Sequence, residues 1–160
     1  MPWLTVWENV RFGCAKDGWE EKSGQTQNRM IQQQIERVGL HGFEKAYPHQ
    51  LSGGMQQRVA IARAFAYNPA FIMMDEPFAA LDYFTREQMQ KELIRLQKES
   101  KVGILFVTHS IDEALLLGDK IVIVENGQIK SEIKIESETR NLLASELILQ
   151  KKKILEQLNS

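Results

Sequence analysis

Apolar residues recur at helical intervals along much of the chain. A first helix is predicted from Val6 towards Phe12, opened by Thr5-Val6-Trp7-Glu8, where Thr and Glu side chains reciprocally satisfy free N–H groups. From about Gln27 to Val38, residues Ile31, Ile35 and Val38 share one side, and Gly39 suits a left-handed end. Met55, Val59, Ala62 and Ala66 form another stripe, stopped by Asn68-Pro69. Met89, Leu93 and Leu96 mark a helix over roughly Phe84 to Glu99, with Glu87 and Lys91 one turn apart. Ser110-Ile111-Asp112-Glu113 is a second capping box, and its helix ends near Gly118. A tail helix over Glu138 to Leu158 aligns Leu143, Leu147, Ile154 and Leu158, so it should pack back on the domain. Two continuous apolar runs, Phe71 to Met74 and Ile104 to Val107, are too short for helices and suit strands covered on both faces. Ile121 to Val124 and Ile129 to Ile135 flank Asn126-Gly127, a hairpin turn.

Bulk properties narrow the class. The 160 residues, 43% hydrophobic and 26% charged, suit one soluble globular domain and neither disorder nor fibre. A formal net charge of −1 provides no field for nucleic acid. No apolar run approaches the ~20 residues of a membrane span. The single cysteine, Cys14, excludes an internal disulfide, and Met-Pro-Trp-Leu opens no basic leader, so a cytoplasmic location is expected. Lys151-Lys152-Lys153 reads as a solvated face, and His41 and His49 lack metal-ligand spacing. There is no internal repeat and no low-complexity segment.

Candidate chemistry concentrates between Gln50 and Asp82. Ser52 caps the helix that follows, while Gly53 and Gly54 let its N-terminus approach another molecule; such an end attracts phosphate. Asp75 and Glu76 close the next strand, at the edge where open α/β sheets bind ligands. An aspartate there can hold Mg²⁺ directly or through water, and a second acid can orient or deprotonate an attacking water. Thr108-His109 closes the other apolar strand, where a histidine can touch a γ-phosphate. Gly13 to Gly18 has the spacing of a phosphate loop, but Trp19 and Glu20 follow where Lys and Ser or Thr are required. It reads as a polar surface loop, and the sequence holds no Walker A motif.

Leu51-Ser52-Gly53-Gly54-Met55-Gln56 resembles the signature motif of ATP-binding cassette (ABC) transporter ATPases. Phe71 through Glu76 resembles Walker B with its following glutamate, Ala80-Leu81-Asp82 the D-loop, and Thr108-His109 the H-loop. Pro2 to Val6 followed by Glu8-Asn9-Val10 resembles the segment after the Q-loop in importer ATPases, and Pro2 to Val6 together with Thr108 to Ala114 most resembles the importers for nitrate, sulfonate, taurine and related small compounds. The likeness spans about residues 1 to 135 and weakens in the tail. It implies an α/β, partial P-loop NTPase fold: a parallel-sheet core, a helical subdomain, and a C-terminal hairpin and helix. The implied domains are 1–50, the helical subdomain remnant; 51–135, the signature, Walker B, D-loop and H-loop part; and 136–160, the tail.

The resemblance also implies roles. Ser52, Gly53, Gly54 and Gln56 would contact ATP held by a second ATPase subunit, a copy or a full-length homologue. Asp75 would help place Mg²⁺, Glu76 would serve as general base or water-positioning acid, and His109 would contact the γ-phosphate. Asp82 would lie at the dimer seam. Permease subunits would hold the protein on the cytoplasmic face of the inner or plasma membrane. Without the lysine and glycine-rich cradle of Walker A, ATP and Mg²⁺ binding should be weak and the isolated chain a poor ATPase. A missing neighbour should also leave the strand of Ile104 to Val107 with unpaired backbone groups. The readings are the carboxy-terminal part of an importer ATPase, whether truncated, split or started internally; a non-catalytic module donating its signature to a complete partner; and a DNA-repair or chromosome-structure relative. The absence of a long heptad segment counts against the third.

Overall fold

The structure, a computed structural model, describes residues 1–14, 22–135 and 145–158. Ala15 to Gly18 of the glycine-spaced loop with the Trp19 and Glu20 that follow, and Glu138 and Leu143 of the tail helix, lie outside the described residues. The chain forms two compact units, Met1–Leu105 and Phe106–Ser160.

In the first unit, α1 (Val6–Cys14) packs on α2 (Gly24–Arg37) and on α3 (Gly53–Ala66), and α3 also meets α4 (Tyr83–Ser100). The Thr5/Glu8 box forms as expected: Thr5 N–H donates to Glu8 Oε2 at 2.8 Å and Glu8 N–H to Thr5 Oγ1 at 3.3 Å. Ile31, Ile35 and Val38 are buried, and Gly39 takes φ +67°. Arg58 of α3 satisfies the end of α2, donating from Nη1 to Val38 O at 2.9 Å. The sequence did not announce Asn9, which is fully buried. Its Nδ2 donates to Leu4 O and Thr5 O, both at 3.0 Å, and its Oδ1 accepts from Arg63 Nη1 at 3.3 Å. A buried amide left unmatched would be costly, so these bonds fix how the entering chain meets α3.

A single two-stranded sheet joins β1 (Phe71–Asp75) to β2 (Gly103–Val107), with the boundary between units falling inside β2. The α4 crossover between them is the connection that parallel neighbours need. Expecting these strands to be covered on both faces was wrong. Burial alternates along β1, with Ile72 and Met74 inside while Phe71 and Met73 are 53% and 74% exposed; Leu105 and Val107 of β2 are exposed too. A run of apolar residues has no period of its own, so only the layers actually packed on a strand decide how many faces are covered. Met89, Leu93 and Leu96 of α4 are buried, and the Glu87–Lys91 pair forms at 3.0 Å.

In the second unit, α5 (Ile111–Leu117), the β3–β4 hairpin (Lys120–Glu125, Gln128–Lys134) and α6 (Ser145–Leu158) enclose Leu115, Ile123, Ile135, Leu147 and Ile154. Asn126 and Gly127 take φ +50° and +75°, the left-handed pair of a tight hairpin turn. Pairing steps from Val124↔Ile129 to Ile123↔Ser131, a bulge that passes over Lys130. The tail helix packs back through Leu147 and Ile154, while Leu158 at its end is exposed. Lys151 is not merely solvated, because it pairs with Asp112 at 2.6 Å. The second capping box is also altered. Ser110 Oγ accepts from Glu113 N–H at 3.3 Å, yet Glu113 Oε2 accepts from Thr108 Oγ1 at 2.7 Å.

Candidate functional site

Ser52 enters α3 in extended conformation, and its Oγ accepts from Met55 N–H at 3.3 Å, as an N-cap must. The first turn faces outward at Ser52, Gly53 and Gln56. Gln56 is tied back in part, its Nε2 donating to Leu51 O at 3.2 Å. The two glycines differ. A Cβ on Gly53 would meet nothing nearer than Leu81 Cδ2 at 4.0 Å, whereas one on Gly54 would strike Thr85 Cγ2 at 2.3 Å. Gly54 also has a packing duty: it is buried, and its missing side chain makes room for this chain's own α4.

An open groove of about 620 Å³ is lined by Gly53 and Gln56 from α3, by Met73 and Asp75 from β1, and by Glu76 and Leu81 from the turn beyond. Signature-like and Walker B-like residues thus share one cleft within the first unit. Among its described lining residues the charged ones are Asp75 and Glu76, so it favours a cation over a bare triphosphate. Glu76 stands at φ +44°, a left-handed backbone rare for a residue with a Cβ and disfavoured further by the following Pro77. Such a conformation costs about 1–3 kcal/mol and persists where surrounding structure imposes it. Here the turn is closed by Ala79 N–H donating to Glu76 O at 3.2 Å and Leu81 N–H to Phe78 O at 3.1 Å, with Phe78 fully buried. Nothing local in the sequence announces that φ.

Asp82 caps α4, its Oδ1 accepting from Thr85 N–H at 3.1 Å. The Asp-x-x-Thr spacing carried that signal, although the helix was expected to begin nearer Phe84. The Thr85 hydroxyl, and next its backbone N–H, hold the Asp82 carboxyl below the usual aspartate range. Backbone and side-chain bonds from Thr5 do the same for Glu8. A carboxyl whose folded pKa is depressed adds stability above its unfolded pKa and loses it as pH falls through the folded value. Thermal midpoints should therefore hold from neutrality to about pH 5 and fall below about pH 4. Asp82→Asn, which keeps an acceptor that does not titrate, should flatten part of that fall; an unchanged profile would contradict the assignment.

His109 belongs to the second unit, exposed beyond β2, in the segment where Ser110 N–H donates to Thr108 Oγ1 at 3.0 Å. Among the described residues no cluster of three or more His, Cys, Asp or Glu could hold a metal, and no helix is long and apolar enough to cross a membrane.

Comparison with known proteins follows this geometry. A family profile described as ABC transporter matches residues 1–79. An uncharacterised ABC transporter ATP-binding protein of Methanocaldococcus jannaschii is 48% identical over 161 residues, 97% of this chain and 58% of the relative. The taurine import ATP-binding protein of Escherichia coli K12 is 44% identical over 127 residues, 79% of this chain and 49% of the relative. The chain thus spans about half the length of these curated relatives. A dimeric ATP-binding cassette in a post-hydrolysis state, bound to ADP and Pi, superposes with a TM-score of 0.70 at 36% identity, covering 86% of this chain and 59% of that one.

Proposed function

We propose that the chain, which is similar to ABC transporter ATP-binding proteins, is the signature-bearing part of an importer's ATPase subunit. It would serve uptake of a small solute of the nitrate, sulfonate or taurine kind. The observation that carries this reading is the capped, outward-facing start of α3 beside a groove that ends in Asp75 and Glu76. The segments 1–50, 51–135 and 136–160 would be the helical subdomain, the ATPase-core part and the tail.

Ser52, Gly53 and Gln56 meet the phosphates of nucleotide held by a second ATPase subunit, and Gly54 lends the backbone of the same turn. A helix N-terminus offers unpaired N–H groups and the positive end of its dipole, which suits that contact. Mg²⁺ fits the groove because it takes one or two carboxylates and completes its shell with water and phosphate oxygens; Asp75, exposed at the strand end, is such a carboxylate. Bound Mg²⁺ and ATP supply the phosphoryl group and neutralise its charge. Glu76 orients or deprotonates the attacking water, His109 contacts the γ-phosphate, and Asp82 meets the partner at the seam. Closure of the pair moves permease subunits, which keep the protein on the cytoplasmic face of the membrane.

The acidic groove, with no Lys or Arg among its described lining residues, specifically favours donation of the signature to a complete partner over independent ATP binding. Mixing the chain with a full-length family member, such as the M. jannaschii relative, should raise that protein's ATP turnover. Ser52→Ala should cut the increment by about ten-fold or more, as loss of a donor aimed at developing charge does. Glu76→Gln should leave it intact if only the signature is donated. A turnover rate indifferent to the added chain would refute the proposal.

A further inference from the structure

Thr85, in the first turn of α4, touches both ends of the candidate site. Its Cγ2 methyl fills the space a Cβ on Gly54 would need, while its Cβ and Oγ1 stand 3.7 and 3.9 Å from that position. Its backbone N–H donates to Asp82 Oδ1 at 3.1 Å. One residue on, Arg86 Nη2 donates to Leu81 O at 3.0 Å, and Leu81 Cδ2 lies 4.0 Å from the Cβ position of Gly53. The start of α3 and the turn from Phe78 to Asp82 are far apart in sequence, yet both are fastened to the first turn of α4.

We propose that Thr85 is a positioning residue, with its methyl seated at Gly54 and its backbone N–H on Asp82, that joins the start of α3 and the 78–82 turn into one rigid piece. Its functional consequence rests on the role proposed above: residues facing the partner's nucleotide and the residue at the seam arrive together. The link depends on shape, because closely packed groups transmit displacement where loosely packed ones absorb it. Thr85→Ser deletes the methyl and keeps the N–H on Asp82, whereas Asp82→Ala removes the acceptor of that N–H and keeps the methyl. The two halves of the link can therefore be cut separately.

The decisive measurement is a melting cycle on the full chain: the unchanged protein, Gly54→Ala, Thr85→Ser and the double variant. With Thr85 present, Gly54→Ala should lower Tm, because the new Cβ meets the methyl at 2.3 Å. With Thr85→Ser, the remaining neighbours lie at 3.7 and 3.9 Å, ordinary contact, and alanine is the better helix residue, so the same change should be neutral or raise Tm. An effect of equal sign and size in both backgrounds would overturn the link.

Amide exchange supplies a readout that simple loss of stability would not move. Under conditions where every variant is folded, Thr85→Ser should speed exchange at Met55, whose N–H is held by the Ser52 cap. Asp82→Ala should instead act at Thr85, whose N–H that carboxylate holds. In the mixed ATPase assay, Thr85→Ser should lower the stimulated kcat several-fold with KM for ATP unchanged; a loss matching only the unfolded fraction would count against positioning. If the unchanged chain fails to stimulate any partner, the proposed function falls, while the melting cycle still decides whether the link exists.

Discussion

Cutting Phe78 back to alanine should destabilise the first unit by about 4 kcal/mol, the range for deleting a fully buried aromatic from a site that relaxes only in part. The chain around Phe78 is a turn whose carbonyls at Glu76 and Phe78 accept from Ala79 and Leu81. The turn also holds Glu76 in its left-handed conformation, so the ring anchors geometry as well as apolar area. Denaturant titration should show a lower midpoint with an unchanged slope, because the surface exposed on unfolding stays nearly constant. Exchange at Ala79 and Leu81 should rise before global unfolding. A cost below about 1 kcal/mol would show that the turn holds itself without the ring.

Gly13→Ala should cost about 3 kcal/mol, at the upper end for overpacking, because the contact is made with backbone. The new Cβ would lie 2.1 Å from Arg63 O and 2.9 Å from Arg63 C, and neither atom can rotate away as a side-chain tip can. Helix α1 would have to move off α3, disturbing the Asn9–Arg63 bond in the same interface. At about 2–4 °C per kcal/mol for a chain of this size, the midpoint should fall by about 10 °C. Gly53→Ala is the control: its nearest neighbour would be at 4.0 Å, so Tm should stay level or rise. Equal effects at the two glycines would remove close packing as the explanation.

Both predictions concern features that local sequence patterns describe poorly. Gly13 drew attention as one end of a phosphate-loop spacing, but the structure gives it a packing duty against α3. Asn9 looked like part of an ordinary helical turn and is instead a buried amide. Lys101 ends α4 at φ +56° where a glycine would have signalled the stop. By contrast, the Thr5, Ser52 and Ser110 caps, the Asn126-Gly127 turn and the Glu87–Lys91 pair were readable because each involves residues at most four apart in the chain. The resemblance was legible for the same reason: the serine-glycine turn and the acid pair are contiguous motifs, and their order along the chain carries the likeness to ABC transporter ATPases.

Taken alone, the sequence determined the helices, the hairpin, the capped start of α3, the acids closing β1 and the family they resemble. Tertiary structure alone decided that one face of β1 stays open, that Gly54 serves Thr85, that Glu76 is held left-handed, and that Gly53, Gln56, Asp75 and Glu76 line one groove. The physical reason is range. Hydrogen bonds within a turn and the period of a stripe are fixed by neighbours a few residues away, whereas a close approach between helices depends on side chains brought together from distant parts of the chain.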